Sequence, residues 1–204
     1  MSMELIVATW NKKKLEEIKE ILKDLKLKVT SLADYKGVPR IVENGKSFKE
    51  NAVKKAVKAA SFTKKLTLGE DSGLCVEILG GRPGIRSSRF SGWEKNDAKN
   101  NLKLLRLLEG VPFRKRKAYY SCAVAVADKD GILDVVEGEC SGFISFELKG
   151  SSGFGYDPLF IVPKYKKTFA QLGEKIKHKM SHRYRALKKA KKIILKYIEH
   201  CKSN

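Results

Sequence analysis

The chain opens on a short apolar run, Leu5-Ile6-Val7-Ala8-Thr9, which reads as a buried strand, and Leu15, Ile18, Leu22 and Leu25 then recur at helical spacing. Asn11-Lys12-Lys13-Lys14 therefore sits on a strand-to-helix turn, where the first backbone N–H groups of the helix lack partners and favour an anion. A second helix is predicted from Lys46 or Ser47 to about Thr63, with Ser47 as N-cap and Glu50 completing a capping box. Its alanines, Ala52, Ala56, Ala59 and Ala60, predict close packing against a neighbour. Leu66 to Leu68 and Leu74 to Leu79 read as short strands flanking Gly69-Glu70-Asp71-Ser72-Gly73, which places two carboxylates at a strand end or tight turn. Gly80-Gly81-Arg82-Pro83-Gly84 is a loop by composition. Asn96 to Leu108 is helical, Ala118 to Ala127 and Ile132 to Glu139 form a hairpin around Asp128-Lys129-Asp130-Gly131, and Gly142 to Leu148 adds a strand. Gly150 to Pro158 is a glycine-rich loop with an aromatic residue held at its tip. Leu187, Ala190, Ile194, Tyr197, Ile198 and Cys201 mark one face of a C-terminal helix.

With no internal repeat and no linker, residues 1–204 are expected to form a single α/β domain: a mixed sheet flanked by helices, with a central cleft. Hydrophobic residues make up 42% of the chain, enough for a packed core and unlike a disordered chain. No apolar stretch approaches the roughly 20 residues of a membrane span, and the N-terminus lacks a secretory pattern, so a soluble cytoplasmic protein is expected. Cys75, Cys122, Cys140 and Cys201 have no CxxC spacing and read as free thiols. Three histidines without an HExxH arrangement argue against a zinc site, so a metal, if used, should be a hard one held by carboxylates.

The formal charge of +20 fits nucleic acid, an anionic membrane surface or a phosphorylated small substrate equally well. Residues 175–202 hold eleven Lys or Arg and one acid, which reads as the solvated face of the last helix rather than a nucleic-acid arm. Arg114-Lys115-Arg116-Lys117 is read likewise as a surface loop.

Candidate chemistry is concentrated in four places. Asn11 and Lys14, at a helix start, offer amide, ammonium and backbone donors to phosphate oxygens, although Lys12, Lys13 and Lys14 also fit a solvated cluster. Glu70 and Asp71, with Glu43 before the second helix, supply three carboxylates in a basic chain, enough for Mg2+, although a Glu-Asp pair also fits an exposed turn. Phe154-Gly155-Tyr156-Asp157 can set an aromatic face against a base with Asp157 as an acceptor, or can simply be core aromatics around a turn. Lys177 and Ser181-His182-Arg183 supply donors near the last helix, or a charged helix start. P-loop, dinucleotide-fold and GxSxG motifs are absent.

In this order the segments resemble the inosine triphosphate pyrophosphatase family. The resemblance rests on Ala8 to Glu17, Ser47 to Ala56, Glu70 to Val76 followed by Gly80 to Ile85, Gly153 to Phe160, and Lys177 with Ser181-His182-Arg183. It implies an elongated mixed sheet between two lobes, a nucleotide in the cleft and a homodimer. It further implies hydrolysis of ITP, dITP or XTP to the monophosphate and pyrophosphate. Thr9, Asn11, Lys14 and Lys55 would face the triphosphate, Lys14 and Lys55 as catalytic cations, with Trp10, Lys12 and Lys13 of the first turn also binding substrate. Glu43 and Glu70 would hold Mg2+, and Asp71 would be metal ligand or base. Phe154 would stack on the purine, and Ser72, Gly155, Tyr156, Asp157, Lys177, His182 and Arg183 would complete the pocket. Trp10 stands where the family usually has a small residue, and Glu70 where Asp is frequent. A related pyrophosphatase acting on dTTP, UTP or modified pyrimidine nucleotides is the alternative among enzymes. A basic nucleic-acid-binding protein is the alternative outside them.

Overall fold

The computed structural model describes residues 3–203. In chain order the elements are β1 (Glu4–Val7), α1 (Lys12–Leu22), β2 (Lys28–Ser31), α2 (Phe48–Thr63), β3 (Thr67–Val76), α3 (Asp97–Leu107), β4 (Lys117–Asp128), β5 (Gly131–Ile144), β6 (Phe160–Val162), β7 (Lys167–Thr168), α4 (Phe169–Leu172), α5 (Glu174–Lys177) and α6 (His182–Ser203). One seven-stranded sheet runs β2-β1-β3-β4-β5-β6-β7. It is mixed: β1 lies parallel to β2 and β3, while β6 is antiparallel to β5 and β7. Parallel neighbours need a crossover, and the α1 and α2 segments supply it.

The chain divides into two compact units, the first made of residues 1–71, 122–138 and 183–204 and the second of residues 72–121 and 139–182. In the first, Leu5 and Val7 of β1, Leu68 of β3 and Val124 and Val126 of β4 pack with Ile18 and Leu22 of α1 and Leu187, Ala190 and Ile194 of α6. The expected buried stripe of the last helix is thus present, except that Cys201 is exposed. A second cluster joins Ala52, Ala56 and Ala60 of α2 to Ala123, Ala125 and Ala127 of β4, the close packing that the alanine spacing predicts. The second unit is built around Leu74, Val76, Leu104, Tyr120, Ile144, Phe160 and Phe169.

Two expectations about strands are corrected. Gly69 to Gly73 is not a turn between two strands but the middle of β3, which runs unbroken from Thr67 to Val76, whereas Leu79 lies in a short 3-10 turn. The glycine at 69 serves packing: a Cβ there would stand 2.2 Å from the Ala52 carbonyl oxygen and 2.5 Å from the Ala56 nitrogen, so β3 approaches α2 backbone to backbone. Likewise β5 is one strand to Ile144, and Ser145 to Leu148 lie beyond it. Arg116 is no surface residue either. It is 3% exposed and donates to the carbonyls of Leu108, Val111 and Ser145. Cys75, Cys122 and Cys140 are buried free thiols. Among the described residues no helix is long and apolar enough to cross a membrane.

Candidate active site

The first unit carries the turn after β1. Asn11 caps α1, its Oδ1 accepting from the Lys14 backbone N–H at 3.2 Å, and Thr9 Oγ1 accepts from the Asn11 N–H at 3.1 Å. Thr9 and Asn11 therefore shape the turn, and the N-terminal N–H groups of α1 are presented next to Lys12 and Lys13, which are exposed. Trp10 is 51% exposed and points outward, so the departure at this position leaves the turn intact.

Behind the turn lies a buried ion network. Arg183, at the start of α6, is 1% exposed and reaches Glu70 Oε1 with Nε at 3.3 Å and Nη2 at 3.0 Å, while its Nη1 pairs with Glu17 of α1. Lys14 Nζ takes the other Glu70 oxygen at 2.7 Å, and the Cys122 thiol donates to Oε1 at 3.4 Å. Burial opposes the charge on Glu70, but Arg183, Lys14 and Lys55 outweigh it and hold the carboxyl well below its ordinary range. Burial likewise pushes against the Lys14 ammonium, and Glu70 more than restores it, so Lys14 stays charged. Four ions joined this way satisfy one another, the condition under which buried charges are tolerated.

Asp71 faces the opposite way, because successive side chains of a strand alternate. Its Oδ2 accepts from Asn51 Nδ2 at 2.9 Å, and its Oδ1 lies 3.6 Å from Lys55 Nζ, which also pairs with Glu43 at 3.2 Å. Asn51 and Lys55, four residues apart, share one face of α2, and the Gly69 approach brings that face against the strand. Desolvation raises the Asp71 carboxyl more than Lys55, Lys14 and Asn51 lower it. Glu43, Glu70 and Asp71 consequently do not converge as a carboxylate triad, and no cluster of three metal-capable side chains occurs among the described residues. Glu70 is turned onto Arg183 and Lys14, and only Glu43 and Asp71 share a partner, Lys55.

The second unit carries the glycine-rich loop. Asp157, 1% exposed, accepts from the Phe154 backbone N–H at 3.0 Å and from Lys177 Nζ at 2.7 Å, and that ammonium lies 4.5 Å from the centre of the Phe154 ring. Gly153 is needed here, since its φ is +82° and a Cβ would stand 2.1 Å from the Asp157 carboxylate. Phe154, Asp157 and Lys177 are thereby drawn together. Tyr156 is 3% exposed, and its hydroxyl donates to the Ser87 carbonyl at 2.8 Å. Ser72 is half-buried at the first position of this unit, and the His182 ring stacks on Tyr120 with centres 4.5 Å apart.

Two contributors escaped the sequence reading. Asn51 lies within the Ser47 to Ala56 segment, where its i+4 relation to Lys55 is the signal that pairs them. Glu17 follows Lys14 by three residues beside the buried Ile18, which places it on the inward face of α1.

Residues 5–193 match the model of the Ham1 family. A dITP/XTP pyrophosphatase of Desulforamulus reducens is 48% identical over 97% of this chain and 98% of its own length. One from Halalkalibacterium halodurans is 46% identical over 93% and 97%. Among solved structures, a HAM1 protein from Coxiella burnetii superposes with a TM-score of 0.86 at 36% identity, covering 95% of this chain and 99% of its own.

Proposed function

Because the chain belongs to the Ham1 family, we propose that it is a nucleoside triphosphate pyrophosphohydrolase removing deaminated purine nucleotides, ITP, dITP and XTP, as monophosphate and pyrophosphate. The observation that carries this reading is Asp71, a buried carboxylate held by Asn51 and Lys55 on the face of β3 opposite the Glu70 network. That relatives of this chain are dITP/XTP pyrophosphatases favours deaminated purines over the pyrimidine and nucleic-acid alternatives.

The α1 N-terminus with Lys12, Lys13 and Lys14 gathers anionic oxygens, and Lys55 adds a fourth ammonium. Glu43 and Asp71, which pair with the same Lys55 ammonium, are the residues that would hold a divalent cation, since Mg2+ normally takes one or two protein carboxylates. The chemistry it would supply there is neutralisation of charge on phosphate oxygens. Asp71, its carboxyl raised by burial, is the group suited to accept a proton from the attacking water, and Asn51 fixes its orientation. Glu70 holds Lys14 and Arg183 in place, whether or not it also reaches the metal. In the glycine-rich loop, Phe154 offers its ring to a purine and Lys177 is a donor suited to a 6-oxo group. Adenine would leave such a donor unpaired, a mismatch that can cost discrimination of about 10⁴-fold.

Pyrophosphate release from ITP, XTP, dTTP, ATP and GTP, with Mg2+ and with chelator, tests the reading. Metal-dependent release confined to ITP and XTP is expected. Release chiefly from dTTP would replace it with the pyrimidine alternative, and release from none would remove the enzymatic reading.

A further inference from the structure

Gly155 lies at the centre of the loop that holds Phe154 and Asp157, and both of its backbone polar groups are held by one helix. Its N–H donates to Asp97 Oδ2 at 2.8 Å, and its carbonyl accepts from Asn101 Nδ2 at 2.9 Å. Asp97 and Asn101 occupy the first and fifth positions of α3, one turn apart on the same face. Neither belongs to any motif on which the family resemblance rests.

The two side chains differ in setting. Asp97 is exposed, so no packing demand fixes its identity, and its carboxylate oxygen accepts directly from the Gly155 N–H. Asn101 is 4% exposed, and its Oδ1 is buried without a hydrogen-bond partner among the described residues. A core amide chosen for stability alone would have both ends satisfied, so this side chain is explained by the carbonyl it holds. Asn100, the intervening neighbour, ties the same helix to the preceding loop by accepting from the Ser91 N–H at 2.7 Å and donating to the Ser88 carbonyl at 3.2 Å. The anchor under Gly155 is therefore itself braced. Gly155 has a φ of +63°, a left-handed conformation that the following Tyr156 and preceding Phe154 depend on for their directions.

We propose that Asp97 and Asn101 are positioning residues: they clamp the Gly155 peptide so that the Phe154 ring is presented to the base in one orientation before substrate arrives. Neither side chain belongs to the turn after β1 or to the Asp71 cluster. The clamp therefore acts on base recognition and not on the hydrolytic step, and it deepens the pyrophosphohydrolase reading, on which its kinetic part rests. A loop held in advance saves the ordering cost that binding would otherwise carry.

Two measurements on the full chain separate the clamp from that reading. Hydrogen exchange of the peptide spanning residues 150–158 requires no substrate. Asp97→Ala and Asn101→Ala should both speed exchange at Gly155, while Asp97→Asn, which keeps an acceptor oxygen, should restore protection. In steady-state hydrolysis of ITP, the alanine variants should raise KM about tenfold with kcat within about twofold of the parent, and Asp97→Asn should return KM to near the parent value. Should Asn101→Ala fail to fold, the exposed Asp97 site carries the test alone. Unchanged exchange, unchanged KM, or a fall confined to kcat would overturn the clamp. A parent protein that protects Gly155 but releases no pyrophosphate would overturn the enzymatic reading while leaving the clamp as a structural fact.

Discussion

The carboxyl groups of Glu70 and Asp71, on adjacent residues, are shifted in opposite directions, downward for Glu70 by its cationic partners and upward for Asp71 by burial. Glu70→Gln leaves Arg183 with only part of its compensating charge in the interior, and a loss of about 3–5 kcal/mol in urea unfolding is expected. Asp71→Asn removes a carboxylate whose burial is only partly offset, so its stability change should stay within about 1 kcal/mol while turnover falls by orders of magnitude. A variant with near-parental turnover would contradict the role of Asp71. The acid limb follows from the sign of the Glu70 shift. A carboxyl lowered in the folded state stabilises fully above its unfolded value near 4.5 and loses that stabilisation as pH falls through the folded value. The urea midpoint of the parent should therefore drop more steeply below about pH 4.5 than that of Glu70→Gln. From the sequence the two residues could not be told apart, because adjacency along a chain does not tell which face each side chain takes until the strand is known.

At the scale of elements, the contact between β3 and α2 sets where Asn51 and Lys55 stand relative to Asp71. Gly69→Ala would drive a methyl group into the Ala52 carbonyl and the Ala56 nitrogen, which belong to backbone and cannot rotate aside. A loss of about 1–3 kcal/mol is expected by thermal unfolding. Displacing α2 by even about 1 Å should cost roughly 100-fold in kcat. A Gly69→Ala protein of parental stability and rate would show that the approach is looser than described. The helices at 48–63, 97–107 and 182–203 were legible because their apolar spacing repeats over several turns. The β3 strand was not, since Gly-Glu-Asp-Ser-Gly has the composition of a turn, and only the helix lying against Gly69 reveals a strand there. Arg116 shows the same limit, as a basic run reads as surface until three carbonyls are found around one guanidinium.

For the molecule as a whole, the charge of +20 is an excess spread over a chain whose proposed substrate carries a triphosphate. Long-range attraction of this kind raises encounter rates and is screened within about 10 Å at 0.1 M salt. Raising ionic strength should therefore lower kcat/KM for ITP by roughly tenfold while leaving kcat nearly unchanged, and a salt-independent kcat/KM would show that the excess serves something other than capture. The Lys177 ammonium already rests 4.5 Å from the centre of the Phe154 ring, so the aromatic surface offered to a base is electrically biased before any base arrives. Neutral heterocycles suit such a surface, whereas a base made cationic by alkylation, such as an N7-methylated purine, meets a like charge. An N7-alkylated ITP analogue is expected to show a higher KM than ITP in pyrophosphate release, and an equal KM would show that the Lys177–Asp157 pair leaves the ring without electrical bias.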